Sequence, residues 1–312
     1  MSSITVTEET SLRKTPFATI QNFRRHNPQG LAWVILISLA FIWGSSFIQI
    51  KKAMEVFSPF QVLALRVSIA SLFFLSFGWV FLKKIPLAKY KYLILAGLLG
   101  VVIPSFLFPL AQKGVNSSLT GVLNGLTPLF TWLIGWAFFG QRVSVSKLWG
   151  LLIGLIGAIS LMLISSEGSL NFNAYALFAL GATLANGIYL NLIKKYLSDL
   201  PTLYVTSVAI MLMSPLAIAL LSMQDIGTTY QSHSNSGFAL LYVFSLGIFA
   251  TVLSSIIFNY LLQIATPIFA STVTYLMPIV AIIWGLLDGE VISSGQVLGI
   301  LAVIGGVYLL NK

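Results

Sequence analysis

The side chains in this sequence that can do chemistry are uncharged polar groups set inside long apolar runs. Ser38, Ser45 and Gln49 follow one another at steps of seven and four, which places them on one face of a helix. Thr120, Asn124, Thr127 and Thr131 form a second stripe, and Thr251, Ser255, Asn259 and Gln263 a third. Ser271, Thr274 and Tyr275 mark another region. A polar group inside lipid is costly unless it faces a cavity or a partner. Hydroxyl and amide groups without fixed charge suit a neutral or zwitterionic ligand held by hydrogen bonds. The same groups also join helices to one another, and spacing alone leaves both roles open.

Arg66 is the one full charge deep in an apolar run, about seven residues past Pro59. Its planar fork fits a carboxylate or phosphate. It is equally suited to hold helices together through carbonyls, or to pair with Asp288 or Glu290. Trp43, Tyr189, Tyr260 and Tyr275 lie deep in their runs, either as an amphipathic cavity wall or as core packing. Trp33, Trp79, Trp136 and Trp149 lie toward run ends, as an interfacial aromatic belt requires. Pro128 and Pro278 interrupt helical runs, where each removes a backbone donor and makes a hinge or a static kink. Gly121/Gly125 and Gly150/Gly154 are small-xxx-small pairs that permit close helix packing.

The elements that must position these groups follow from composition. Of the 312 residues, 57% are hydrophobic and 8% charged, against about 25% charged in a soluble domain. Lipid is the natural solvent for such a surface. There is no cysteine, and the two histidines are His26, near the N-terminus, and His233, in a polar loop. No thiolate, multi-histidine metal centre or carboxylate pair therefore falls within a span, and the sequence predicts neither an enzyme nor a cofactor. A phosphate-binding GxxxxGK[ST] run is absent, so ATP drive is not expected from this chain.

Apolar runs predict helices near 31–50, 59–82, 92–112, 118–139, 147–165, 173–193, 201–222, 238–263, 268–287 and 295–310. Most hold enough residues to cross about 30 Å of hydrocarbon. The sequence thus predicts an all-α polytopic membrane protein with ten transmembrane helices. Residues 1–29 read as a mobile cytoplasmic tail. With that tail inside the cell, inner segments hold thirteen of the seventeen Lys and Arg, and outer segments hold only Lys51, Lys52 and Lys113. The charge of +9 is accounted for by this bias, without nucleic acid. The expected location is the cell's inner (plasma) membrane, with both termini cytoplasmic and the lipid bilayer as partner.

The two halves resemble each other. Thr127-Pro128 aligns with Met277-Pro278, and Phe139-Gly140-Gln141 with Asp288-Gly289-Glu290. Gly150 and Gly157 match Gly299 and Gly306, and Gly44 with Ile50-Lys51-Lys52 matches Gly187 with Ile193-Lys194-Lys195. Residues 30–166 and 167–312 therefore read as two five-helix repeats. Five is odd, so the second copy enters the membrane from the opposite side. Inverted repeats give one fold with two related conformations and a site between them. The expected substrate site draws on Trp43, Ser45, Ser46, Gln49 and Arg66 from the first two helices, and Asn124 and Thr127 from the fourth. The second half supplies Tyr189, Ser255, Asn259, Tyr260 and Tyr275, with Pro128 and Pro278 as a matched pair of hinges.

Trp43-Gly44-Ser45-Ser46-Phe47, Leu65-Arg66, Thr127-Pro128 and Gly289-Glu290 followed by Gln296 and Gly299 occur in order across the chain. This pattern resembles the drug/metabolite transporter superfamily, in its ten-helix EamA-type branch, over residues 30–312. The resemblance implies a central cavity lined mainly by helices 1, 3, 4, 6, 8 and 9. It also implies export of amino acids and other small metabolites, and a mainly structural or gating Arg66. The first-half turn carries Gln141 where the family usually has Glu. A multidrug or organic-cation exporter is the nearest alternative, through cation–π contacts with Trp43 or the tyrosines. A membrane receptor or scaffold that moves nothing is the alternative of a different class.

Overall fold

The computed structural model describes residues 28–140, 145–164, 172–264 and 273–310. Apolar residues on every side of a segment favour helices, because lipid offers the backbone no hydrogen-bond partner. In chain order these are α1 (Pro28–Ala53), α2 (Pro59–Leu82), α3 (Leu87–Ala111), α4 (Ser117–Phe139) and α5 (Val145–Leu163). There follow α6 (Ala176–Leu197), α7 (Thr202–Ser222), α8 (Ser236–Gly247, Ile248–Leu253 and Ser254–Ile264), α9 (Val273–Leu287) and α10 (Ser294–Leu310). Among the described residues, α1–α4 and α6–α8 are each long and apolar enough to cross a membrane, while α5, α9 and α10 hold shorter apolar stretches. The chain is an all-helical polytopic membrane protein.

Starts and stops follow local chemistry. Ser58 and Gln61 form a reciprocal cap at the head of α2, with Pro59 at the first helical position. Ser293 and Gln296 do the same for α10. Helices α4 and α9 both end on a left-handed glycine, Gly140 at φ 68° and Gly289 at φ 80°. Helix α4 is interrupted at Gly125 and Leu126, between segments Ser117–Asn124 and Thr127–Phe139. Wide π-helical turns occur in α3 at Leu98–Val102, at the end of α6 at Ile193–Leu197 and in α8 at Ile248–Leu253.

In lipid there is little hydrophobic gain in bringing two helices together, so close backbone approach and dispersion contacts matter more. Glycine supplies that approach. A Cβ on Gly157 of α5 would stand 2.7 Å from Gly299 O of α10, and one on Gly306 would strike the backbone of Gly154. A Cβ on Gly44 of α1 would meet Met277 O of α9 at 2.9 Å, and one on Gly187 of α6 would meet Thr131 N of α4 at 2.9 Å. Gly97 of α3 abuts α7 at Ala209 O, and Gly247 of α8 abuts α2 at Ile69. Thus α1 packs on α8 and α9 as α6 packs on α3 and α4, while α5–α10, α2–α7 and α4–α9 pair directly. Trp79, Trp149 and Phe138 face outward, as residues in contact with lipid do.

Candidate functional site

The π-helical turn of α8 gathers several of the predicted residues. A π turn leaves backbone groups outside the regular ladder. Trp43 of α1 donates its indole N–H to Ala250 O at 3.2 Å, and its ring tilts against Phe258 at 5.4 Å. Arg66 of α2 donates Nε–H to Thr251 Oγ1 at 3.1 Å, and Thr251 in turn donates to Leu246 O at 3.0 Å. Ser255 donates to Thr251 O at 2.5 Å. Arg66 therefore meets a hydroxyl in α8; it makes no ion pair with Asp288 or Glu290, which the sequence left open as its partners. The π turn of α3 lies under the Tyr189 ring of α6, which a Cβ on Gly100 would strike at 2.7 Å.

The break in α4 forms a second polar group. Asn124 Oδ1 accepts from Asn186 Nδ2 of α6 at 3.3 Å and from Thr127 Oγ1 at 3.3 Å. Thr131 O, one turn further on, accepts from Asn191 Nδ2 at 2.7 Å. Pro128 opens the second half of α4, and Pro278 of α9 packs within reach of Gly125 at that break. The α4 stripe thus meets α6, where Asn186, three residues from both Thr183 and Tyr189, is a member that the predicted set missed.

Ser45 accepts the indole N–H of Trp284 at 2.7 Å, whereas Ser46 turns back to its own helix, at Trp43 O. Ser45, Gln49, Lys52, Tyr242, Trp284 and Asp288 line a pocket of about 350 Å³. Among the described residues, Gln49 Oε1 and Gln112 Oε1 are buried acceptors without a protein donor. Tyr260 packs beside Trp43 and Phe258 against α1. The side chains of Asn259 and Tyr275 lie outside the described residues.

The most strongly bonded group was not in the predicted set. Glu290, in the turn between α9 and α10, has a side chain 2% exposed. Its Oε1 accepts from Ser117 N (3.0 Å), Ser117 Oγ (2.7 Å) and Lys51 Nζ (2.9 Å). Its Oε2 accepts from Ser118 N at 3.0 Å and Ser118 Oγ at 2.6 Å. The carboxylate thereby caps the head of α4, where the helix dipole favours an anion. Asp288 bridges Lys51 and Lys52, both at 2.7 Å, and Lys52 also reaches Glu55. Burial pushes both carboxyls upward, but the serine and lysine donors prevail and hold Glu290 and Asp288 below the usual carboxylate range. A Cβ on Gly285 would strike both Ser118 Oγ and Glu290 Oε2, so glycine is what admits the carboxylate. The opposite end of the bundle is held differently. Lys89 pairs with exposed Asp199 at 2.8 Å, Tyr92 and Tyr196 stack at 4.2 Å, and Lys195 sits 4.8 Å over the Phe139 ring.

A membrane-embedded helical bundle with polar groups from several helices at its middle and an ionic cluster at one end has the construction of a carrier. The sequence profile of the EamA-like transporter family matches residues 30–163 and again residues 173–312. The chain belongs to that family. It is 26% identical over 283 residues to a protein of Archaeoglobus fulgidus named "Uncharacterized transporter", covering 90% of this chain and 98% of that one. The inner membrane transporter YedA of Escherichia coli K12 is 25% identical, with 88% and 89% covered. A Chlamydia muridarum protein named an S-adenosylmethionine/S-adenosylhomocysteine transporter is 24% identical, with 89% and 91% covered. A solved crystal structure shares the fold at a TM-score of 0.59 and 17% identity, covering 90% of this chain and 96% of the other.

Proposed function

We propose that this chain is a secondary transporter that exports amino acids or related small metabolites across the cell's inner membrane by alternating access. In this reading ten spans form two inverted repeats, 30–166 and 167–312, with both termini in the cytoplasm and the Lys51 end of the bundle outside. The observation that carries it is the repetition of contacts with partners exchanged. Gly44 of α1 abuts α9 as Gly187 of α6 abuts α4, and Gly97 of α3 abuts α7 as Gly247 of α8 abuts α2. One fold used twice in opposite senses has two equivalent ways to close, which is what a carrier needs. The family profile's two matches support the same reading.

The substrate site lies between the halves. Trp43, Ser45, Gln49, Arg66 and the Asn124–Thr127 break supply one wall, and Tyr189, Ser255 and Tyr260 the other, with Pro128 and Pro278 as hinges. Uncharged hydrogen-bonding groups and aromatic rings suit a small amphipathic metabolite. The name of the Chlamydia relative, a metabolite transporter, supports that class. The test is flux from liposomes holding the purified protein, with radiolabelled amino acids set against tetraphenylphosphonium. Amino-acid efflux above empty liposomes is expected. Efflux of the cation alone would replace this reading with that of an organic-cation exporter, and no flux of either with a folded protein would reject it.

A further inference from the structure

We propose that Glu290 is the keystone of a latch that holds the outer face shut and that opens when this carboxylate takes up a proton. The proposal rests on the transporter reading above. The latch joins three elements that must separate for the outer face to open: the end of α1, the head of α4 and the turn between α9 and α10. Among the described residues, Glu290 is the one carboxylate in contact with all of them, through Lys51, through Ser117 and Ser118, and through its own turn.

All five partners of Glu290 are donors. The two backbone N–H groups and the Lys51 ammonium have no lone pair to offer. A proton taken from water onto either oxygen can be given to the serine hydroxyl beside it, which then turns its own proton away, but the neutral acid weakens the charge-assisted bonds from the Ser117 and Ser118 N–H groups and gives up the charge that Lys51 and the head of α4 require. The charged groups around it are Lys51, Lys52 and Glu55 from the end of α1, Asp288 from its own turn, and exposed Lys113 ahead of α4. Closure therefore needs the ionised form, and the open state, with the carboxyl in water, accepts the proton more readily.

Among the described residues, the opposite end lacks this device. At the positions related to Lys51, Lys52 and Asp288 stand Lys194, Lys195 and Phe139, and Lys195 meets the phenyl ring rather than a carboxylate. The acid at that end, Asp199, is exposed and makes a single ion pair, an arrangement worth little. The two faces thus differ in what closes them, and acid releases only one.

The naturally cysteine-free chain provides the test. Ser46→Cys places a near-isosteric thiol five residues, or about 7.5 Å, inside Lys51. Its reaction with a membrane-impermeant maleimide is followed in right-side-out vesicles. Each rate is divided by that of an exposed Ser232→Cys control, which removes the thiol's own pH dependence. Adding Glu290→Gln should speed labelling about tenfold at pH 7. With Glu290 intact, the normalised rate should climb as the pH is taken from about 7 to about 4. This titration needs no substitution of the glutamate, so it decides by itself if the Glu290→Gln variant does not fold. A rate unmoved by both the substitution and acid overturns the latch. So does a rise seen only in inverted vesicles, which would place the cluster on the inner face. Flux with unmoved labelling would keep the transporter reading and discard the latch.

Discussion

Arg66 shows how a cation is accommodated in a span without a carboxylate beside it. Its Nε–H goes to Thr251 Oγ1, whose own proton goes to Leu246 O, so the guanidinium is tied to the π turn of α8 through a relay. A hydrogen bond to a charged group contributes about 1.5–3 kcal/mol. Arg66→Ala should therefore lower the melting temperature of the purified protein, and Arg66→Lys should recover only part of it, since Lys has no Nε–H to offer Thr251. Melting of the Ala variant at the parent temperature would deny the bond a structural role. Asn124→Ala removes an acceptor shared by Asn186 and Thr127. The expected loss is about 0.5–1.5 kcal/mol, or roughly 2- to 13-fold in affinity for a transported substrate, read by equilibrium binding. Of these contacts the sequence showed the membership and not the pairing. Arg66 was visible as a charge in an apolar run, but Thr251 lies 185 residues away and was one of several polar candidates. Glu290 was visible as part of a turn, while Lys51 and Lys52 read as loop charges. In the structure both lysines lie in the last turn of α1, and Lys51 is 239 residues from the carboxylate it reaches.

At the scale of elements, apolar runs bounded by Pro, Gly and Lys marked the helices closely. Helix α2 spans Pro59–Leu82, as expected for 59–82, because a capping box and a proline fix its start. The π turns of α3 and α8 were not legible. The α3 turn lies against Tyr189 of α6 at Gly100 and the α8 turn follows Gly247, which abuts Ile69 of α2, contacts between distant helices that no local residue type signals. Gly150/Gly154 of α5 were legible as a packing signal, Gly299 and Gly306 of α10 only as repeat matches, and the structure gives the cost of altering this contact. Gly157→Ala sets a methyl 2.7 Å from Gly299 O, an overpacking worth about 1–3 kcal/mol. Gly305→Ala, in the same helix pair, meets nothing within 4 Å and should be neutral or slightly stabilising. Equal melting temperatures for the two variants would contradict this account of the α5–α10 contact.

For the whole molecule, charge placement carries two predictions. Reporter fusions after Lys52 and His233 should report outside, and those after Lys84 and Lys195 inside; reversal at any two sites would sink the proposed topology. Acid should also weaken the fold. Glu290 and Asp288 are held below their ordinary values, 4.5 for a glutamate, so their contribution is complete above about pH 4.5 and is lost as pH falls through the lowered values. Thermal melting of the parent should drop more steeply below pH 4.5 than that of Glu290→Gln, and parallel curves would show that the cluster does not govern acid stability. Helices α5 and α10 stand apart from all this titration. At Gly154–Gly306 and Gly157–Gly299 the two backbones come into direct contact, with Leu161 and Ala302 closing beside them. In the proposed alternating access so close a pair would travel as one unit, and a crosslink between α5 and α10 should leave transport intact where a crosslink between α1 and α4 should arrest it.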